Sequence, residues 1–101
     1  MLPFERLRNS NTKGNLWIYI LTLLKEREVY GWEIPDLIQE KFGFKPGKIT
    51  PYRVLYRLEE EGFVKSKTKK RRKFYYITKK GRKEIKRAKD FYRQILKKIT
   101  P

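Results

Sequence analysis

The chain contains no cysteine and no histidine among its 101 residues. The first absence excludes a disulfide framework and a thiolate metal site. The second removes the commonest general base, zinc ligand and pH switch. The scattered Asp and Glu show only helix-surface spacing, with no acid/base pair or ligand cluster, so catalysis is not expected and neither is a metal or other cofactor. Long apolar runs are also missing. The longest apolar-rich stretch, Asn15–Leu24, is too short to span a bilayer. Glu5, Arg6 and Arg8 precede any apolar run, which does not fit a signal peptide. These features predict a soluble, cytoplasmic protein, with length for one domain and one core.

Negative charge is scarce in one region only. Residues 1–61 hold 10 Lys+Arg and 9 Asp+Glu, whereas residues 62–101 hold 17 and 2. The formal net charge of +16 therefore lies almost wholly in the last 40 residues. Such asymmetry costs self-repulsion, and a polyanion offsets it. Nucleic acid is the first candidate and an anionic membrane surface the second. A heavily charged thermophile surface would instead balance Glu against Lys, as the first 61 residues do and the last 40 do not.

The remaining sequence reads as helices and one hairpin. Residues 1–14 have no clear period and suggest a mobile arm or a short helix ending near Asn9–Asn11. NLWIYILTLLKERE (15–28) carries a broad apolar stripe, with Asn15 as the expected N-cap. VYGWEIPDLIQEKFG (29–43) restarts a helix near Trp32, because Pro35 fits only its first turn. Ile34, Leu37, Ile38 and Phe42 form its apolar face, and Gly43 closes it. After a Pro46-Gly47 loop, TPYRVLYRLEEEG (50–62) has Thr50 as N-cap, Pro51 at the first position and Gly62 as the stop. Leu55, Leu58 and Val54 face inward. FVKSKTKKRRKFYYIT (63–78) reads as a two-stranded hairpin, with the cationic run KTKKRRK as a solvated loop at its tip. In its second strand Tyr75 and Ile77 share one face, Phe74 and Tyr76 the other.

The final stretch, residues 79–101, is a helix in which Ile85, Ala88, Tyr92, Ile95 and Ile99 are spaced as an a/d seam. Phe91 and Leu96 widen it. That seam packs either on the chain's own core or on a partner helix. With three helices already supplying a core, pairing in a homodimer is the favoured reading.

Three helices, a basic hairpin and a last helix describe a mainly α fold with a small β element: a winged helix-turn-helix. Residues 1–13 form an N-terminal arm, 14–78 the winged helix, and 79–101 a dimerisation helix. The third helix has the right size for the major groove of double-stranded DNA. Lys48, Thr50, Tyr52, Arg53, Tyr56 and Arg57 are its candidate DNA contacts. Arg53 and Arg57, one turn apart, read guanine edges or hold phosphates; Arg57 alternatively pairs with Glu60 or Glu61. Lys69, Lys70, Arg71, Arg72 and Lys73 of the wing are candidate phosphate contacts on the backbone or in the minor groove.

Three stretches resemble the PadR-like transcriptional regulators. GNLWIYILTLLKEREVYGWEI carries the YG-x-EI signature as Tyr30-Gly31-Trp32-Glu33-Ile34. TPYRVLYRLEEEGFV resembles the recognition helix and the strand entry after it. RRKFYYITKKG resembles the second wing strand and the turn into the last helix, with Tyr75, Thr78 and Gly81 in register. The likeness spans residues 14–99. Where the family commonly reads G-x-LYP-x-L, Ile49 replaces the Gly and Arg53 the Pro, while Tyr52 is kept. The loop GFKPGKI before it also departs from the family pattern. The resemblance implies a homodimeric repressor whose last helices pair. It also implies that some members sense small aromatic or cationic compounds near the dimer interface; Trp17, Phe91 and Tyr92 either line such a pocket or pack in the core. Two other readings remain open on the residues alone: a weakly selective architectural DNA-binding protein, and a protein-interaction module on the same fold.

Overall fold

A computed structural model describes residues 1–101. Five α-helices and a three-stranded sheet follow the order α1 (Pro3–Ser10), α2 (Leu16–Glu26), β1 (Val29–Tyr30), α3 (Ile34–Phe42), α4 (Thr50–Glu60), β2 (Val64–Lys69), β3 (Arg72–Ile77) and α5 (Lys79–Ile99). Single 3₁₀ turns at Lys13–Asn15 and Gly31–Glu33 lead into α2 and α3.

Helix α2 is the hub. Its broad stripe buries Leu16, Ile20, Leu21, Leu23 and Leu24, and it packs against α3, α4, β3 and α5. Ile34 and Ile38 of α3, Leu55 and Leu58 of α4, and Val29, Val64, Tyr75 and Ile77 of the sheet complete one continuous core. The period-2 reading of the wing holds, since Tyr75 and Ile77 are the buried pair. Truncating a fully buried core leucine such as Leu21 costs about 2–5 kcal/mol.

Several local expectations change. Residues 3–10 are helical, so the arm is a short helix, ended by Asn11 as its C-cap. Asn15 stands at the cap of α2 but caps no N–H there. Its amide instead donates to the Ser10 carbonyl at 2.6 Å and accepts from the Trp17 indole at 3.3 Å, tying α1 to α2. Thr50 is the first residue of α4 rather than its cap, and Ile49 takes the cap position in ordinary helical geometry without a side-chain bond. No left-handed backbone requires a glycine at 49, which explains why Ile is tolerated there. Val29–Tyr30 is not helical. It forms a short third strand on the free edge of β3, pairing Val29 with Tyr75 and Tyr30 with Phe74. Two residues are too few to display an alternation, so periodicity alone misses such a strand.

The stop glycines behave as expected, with Gly43 at φ 77° and Gly62 at φ 83°. Thr78 caps α5 by accepting from the Gly81 N–H at 3.1 Å, while its hydroxyl donates to the Gly62 carbonyl at 2.7 Å. Gly81 is enclosed at this junction: a Cβ there would lie 2.2 Å from the Phe63 carbonyl oxygen and 2.7 Å from Ile77 Cγ1.

Candidate nucleic-acid interface

Helix α4 presents two faces. Pro51, Leu55 and Leu58 face the core, and Val54 is half-buried. Arg53, Tyr56 and Arg57 project to solvent on the other side, with Lys48 and Thr50 exposed at the N-terminal end. Neither Arg53 nor Arg57 takes part in an ion pair, so the pairing of Arg57 with Glu60 or Glu61 is not made. Both guanidiniums therefore keep their full donor set for an external acceptor. Tyr52 differs from the rest. It is half-buried, its ring meets Trp32 edge-on at 5.5 Å, and burial pushes its phenol above the ordinary value. Trp32 itself is exposed beside the start of this helix, as is Ile49. Sequence reading missed both as surface features, although Trp32 does fall outside the apolar period of α3.

The wing is a hairpin as expected, but its cationic run is not a loop. Strands β2 and β3 pair from Val64↔Ile77 to Lys69↔Arg72, leaving only Lys70 and Arg71 as the turn. Most of the cationic run KTKKRRK is therefore regular strand, and the pleat sorts its charges. Lys67, Lys69 and Arg72 share the outer face with Tyr30, Phe74 and Tyr76, while Lys73 lies on the inner face with Tyr75.

Most of these charges already have partners. The Glu28 carboxylate holds Lys69 Nζ at 2.5 Å and Lys67 Nζ at 2.8 Å. Hydrogen bonds from Lys67 and then Lys69 keep that carboxyl below its usual range, and the same contact raises Lys67. Arg72 lies 5.3 Å over the Tyr30 ring, and Lys69 lies 5.5 Å over Phe74. Lys73 stands 3.7 Å from Glu59, whose other oxygen accepts from Ser66 at 2.5 Å. Only Lys70 and Arg71 remain wholly free. Both occupy left-handed backbone, at φ 49° and 65°. A two-residue hairpin turn demands that conformation and ordinarily takes Asn-Gly. Placing two long cations there costs about 1–2 kcal/mol per residue, which marks the tip as a place where charge matters more than stability.

The seam of α5 divides. Ile85 is 2% exposed and belongs to the chain's own core, so it is not available to a partner helix. The physical reason is that the first two turns of α5 lie on α2 and β3. Ala88 is half-buried, and the Tyr92 hydroxyl donates to Asn11 Oδ1 at 2.7 Å, joining α5 to the end of α1. Beyond that point Phe91, Ile95, Leu96 and Ile99 are exposed, as are Phe4 and Leu7 on α1. These apolar side chains line an open groove of about 1180 Å³ between α1 and α5, into which Trp17 and Tyr92 also face.

No group of three or more carboxylates is arranged to hold a metal. No helix is long and apolar enough to cross a membrane.

Comparisons with known proteins agree with this geometry. The transcriptional regulator PadR-like family model matches residues 20–87. A transcriptional regulator from Clostridium thermocellum is 30% identical and superposes with a TM-score of 0.75, covering 87% of this chain and 95% of that one. A PadR family transcription regulator from Clostridium difficile is 29% identical, also at a TM-score of 0.75, with 83% and 93% covered. Bacillus subtilis PadR, solved in complex with operator DNA, is 30% identical at a TM-score of 0.62; 69% of this chain matches 44% of that longer protein. A search of curated proteins gives no match. By the match of the family model and the likeness to these regulators, the chain belongs to the PadR-like family of transcriptional regulators.

Proposed function

We propose that the chain is a homodimeric repressor working on the nucleoid, which inserts α4 into the DNA major groove and lays the wing tip on the backbone or in the minor groove. The observation that carries this is that four cations stand unpaired where a duplex would meet α4 and the wing: Arg53 and Arg57 on α4, and Lys70 and Arg71 at the tip. The flanking wing cations Lys67, Lys69, Arg72 and Lys73 are tied to Glu28, Glu59 or the Tyr30 ring. Lys48, Thr50 and Tyr56 flank the reading face. Tyr52 contributes through its position against Trp32. A domain division follows, with residues 14–78 reading DNA and the exposed end of 79–101 joining two copies.

Dimerisation is supported by the apolar side chains left uncovered on α1 and α5. Ile99 is 72% exposed, Phe4 68% and Leu96 64%, which is unusual for neighbouring large residues on a lone monomer. Tyr92, Ile95 and Ile99 keep the seam spacing, and Ala88 lets a second helix approach. Two winged domains so joined would present α4 to successive major grooves, about 34 Å apart. The groove that Trp17, Phe91 and Tyr92 line would then be shared by two copies, a suitable place for a small aromatic effector.

Selection from a randomised duplex library at near-physiological salt tests the reading. An enriched inverted repeat is the expected result. Ile95→Asp is expected to halve the mass in sedimentation and lose the repeat while keeping the half-site. Retention of DNA without enrichment would favour the architectural alternative, for which the charge of residues 62–101 is the supporting observation.

A further inference from the structure

We propose that the outer face of α5 is a second DNA-binding surface, which grips a duplex other than the one held by α4 and the wing tip. The inference rests on the reading just given for that first contact. Helix α5 carries ten Lys+Arg and only Glu84 and Asp90 as acids. Arg82, Lys86, Lys89 and Arg93 recur at intervals of 4, 3 and 4, so they form one exposed ridge. At 1.5 Å per residue the ridge is about 16 Å long. Of these four, only Arg93 has a carboxylate partner, Asp90 at 3.4 Å. Lys25 of α2 joins them from the side. The neighbouring Lys89 ammonium, then loss of solvation and the Arg82 charge, hold its ammonium below the usual range. Cations are thus gathered here with almost no acid among them, an arrangement that a polyanion relieves.

The ridge is badly placed for the first duplex. Strand β3 carries the chain about 20 Å away from the wing tip before α5 begins. Glu84 is the α5 residue that lines the groove beside α4, along with Arg57 and Glu60. At 3.6 residues per turn the four ridge positions lie about half a turn around the helix from Glu84. They point away from the surface that α4 offers. With Ile85, Tyr92 and Ile99 at the a positions of the seam, Arg82 and Lys89 fall at e and Lys86 and Arg93 at b, so the ridge runs beside the seam and pairing of α5 with a second copy leaves at least Lys86 and Arg93 open. A lipid surface fits less well. A helix lying on a membrane buries its apolar face among the acyl chains, and here that face is the one that pairs with a second copy in the reading above. A rigid row of cations spaced along a straight helix matches the phosphate backbone of a duplex instead.

A capture experiment tests this. The full chain is bound to a short duplex immobilised on beads, unbound protein is washed away, and a second, fluorescent duplex is added. The wild type is expected to retain the second duplex. A variant with Arg82→Gln, Lys86→Gln, Lys89→Gln and Arg93→Gln is expected to reach the beads normally and to retain at least about tenfold less of the second duplex. Loss of like-charge repulsion should leave this variant at least as stable, which a thermal melt checks. Lys70→Ala with Arg71→Ala should instead weaken loading onto the beads. If the glutamine variant retains the second duplex undiminished, the two winged domains of a dimer do the bridging and the proposal is overturned. Capture of anionic phosphatidylserine vesicles in place of the second duplex would overturn it too. If the glutamine variant fails to load while the tip variant loads normally, α5 is the primary DNA surface, and the reading of α4 and the wing fails with it.

Discussion

The wing and α5 carry nearly all of the chain's excess positive charge, but they hold it differently. In the wing, Glu28 clamps Lys67 and Lys69, Glu59 approaches Lys73, and the Tyr30 ring covers Arg72. Of the cationic run from Lys67 to Lys73, only the two tip residues stay free. On α5 the ratio is reversed: Arg87 and Arg93 find carboxylates within their own helix, and the other cations form no ion pair. Local neutralisation along β2 and β3 keeps the hairpin ordered and confines its reach to two residues. A long helix needs no such help, because its backbone bonds are internal and its charges can stay spread. The same net charge is thus focused in one element and distributed in the other.

The largest expected effect comes from breaking the junction between the two. Gly81→Ala places a methyl against the Phe63 carbonyl, a backbone atom that cannot step aside. It should cost about 3 kcal/mol in denaturant unfolding, at the upper end for overpacking. Second comes the tip. Lys70→Asn with Arg71→Gly suits the left-handed turn and should stabilise the chain by about 1–2 kcal/mol while weakening DNA binding. A gain in both properties would mean the tip cations do not touch DNA. The smallest effect is at Glu28. Glu28→Gln releases Lys67 and Lys69, and should strengthen DNA binding at low salt and steepen its salt dependence. Because the folded carboxyl is depressed, its clamp is present above the ordinary carboxylate range and is lost as pH falls through the lowered folded value. NMR shifts of the Lys67 side chain should follow that loss in the wild type and stay flat in Glu28→Gln.

Most of the fold was legible in the sequence because its signals are strong: the stripe of α2, Pro35 and Pro51 at helix starts, and the alternation of Tyr75 and Ile77. The short strand β1 was not, since its pairing with β3 is a long-range contact that two residues cannot announce. The outward placement of Arg53 and Arg57 was legible from helical spacing alone. The sorting of the wing charges was not. It depends on Glu28, which lies far from the wing in sequence, and on Glu59 at the end of α4, and both meet the wing only once the helices and the sheet have packed. Ile85 shows the same limit, since a heptad seam does not reveal where a helix leaves its own core.

The salt dependence of binding to one short duplex tests the division between the two elements most directly. Replacing Lys70 and Arg71 with Ala should flatten the slope of log affinity against log salt by about 1.8, or 0.9 for each phosphate that is no longer neutralised. The four α5 substitutions should leave that slope unchanged. A flattened slope in the α5 variant beside an unchanged one in the tip variant would contradict the account.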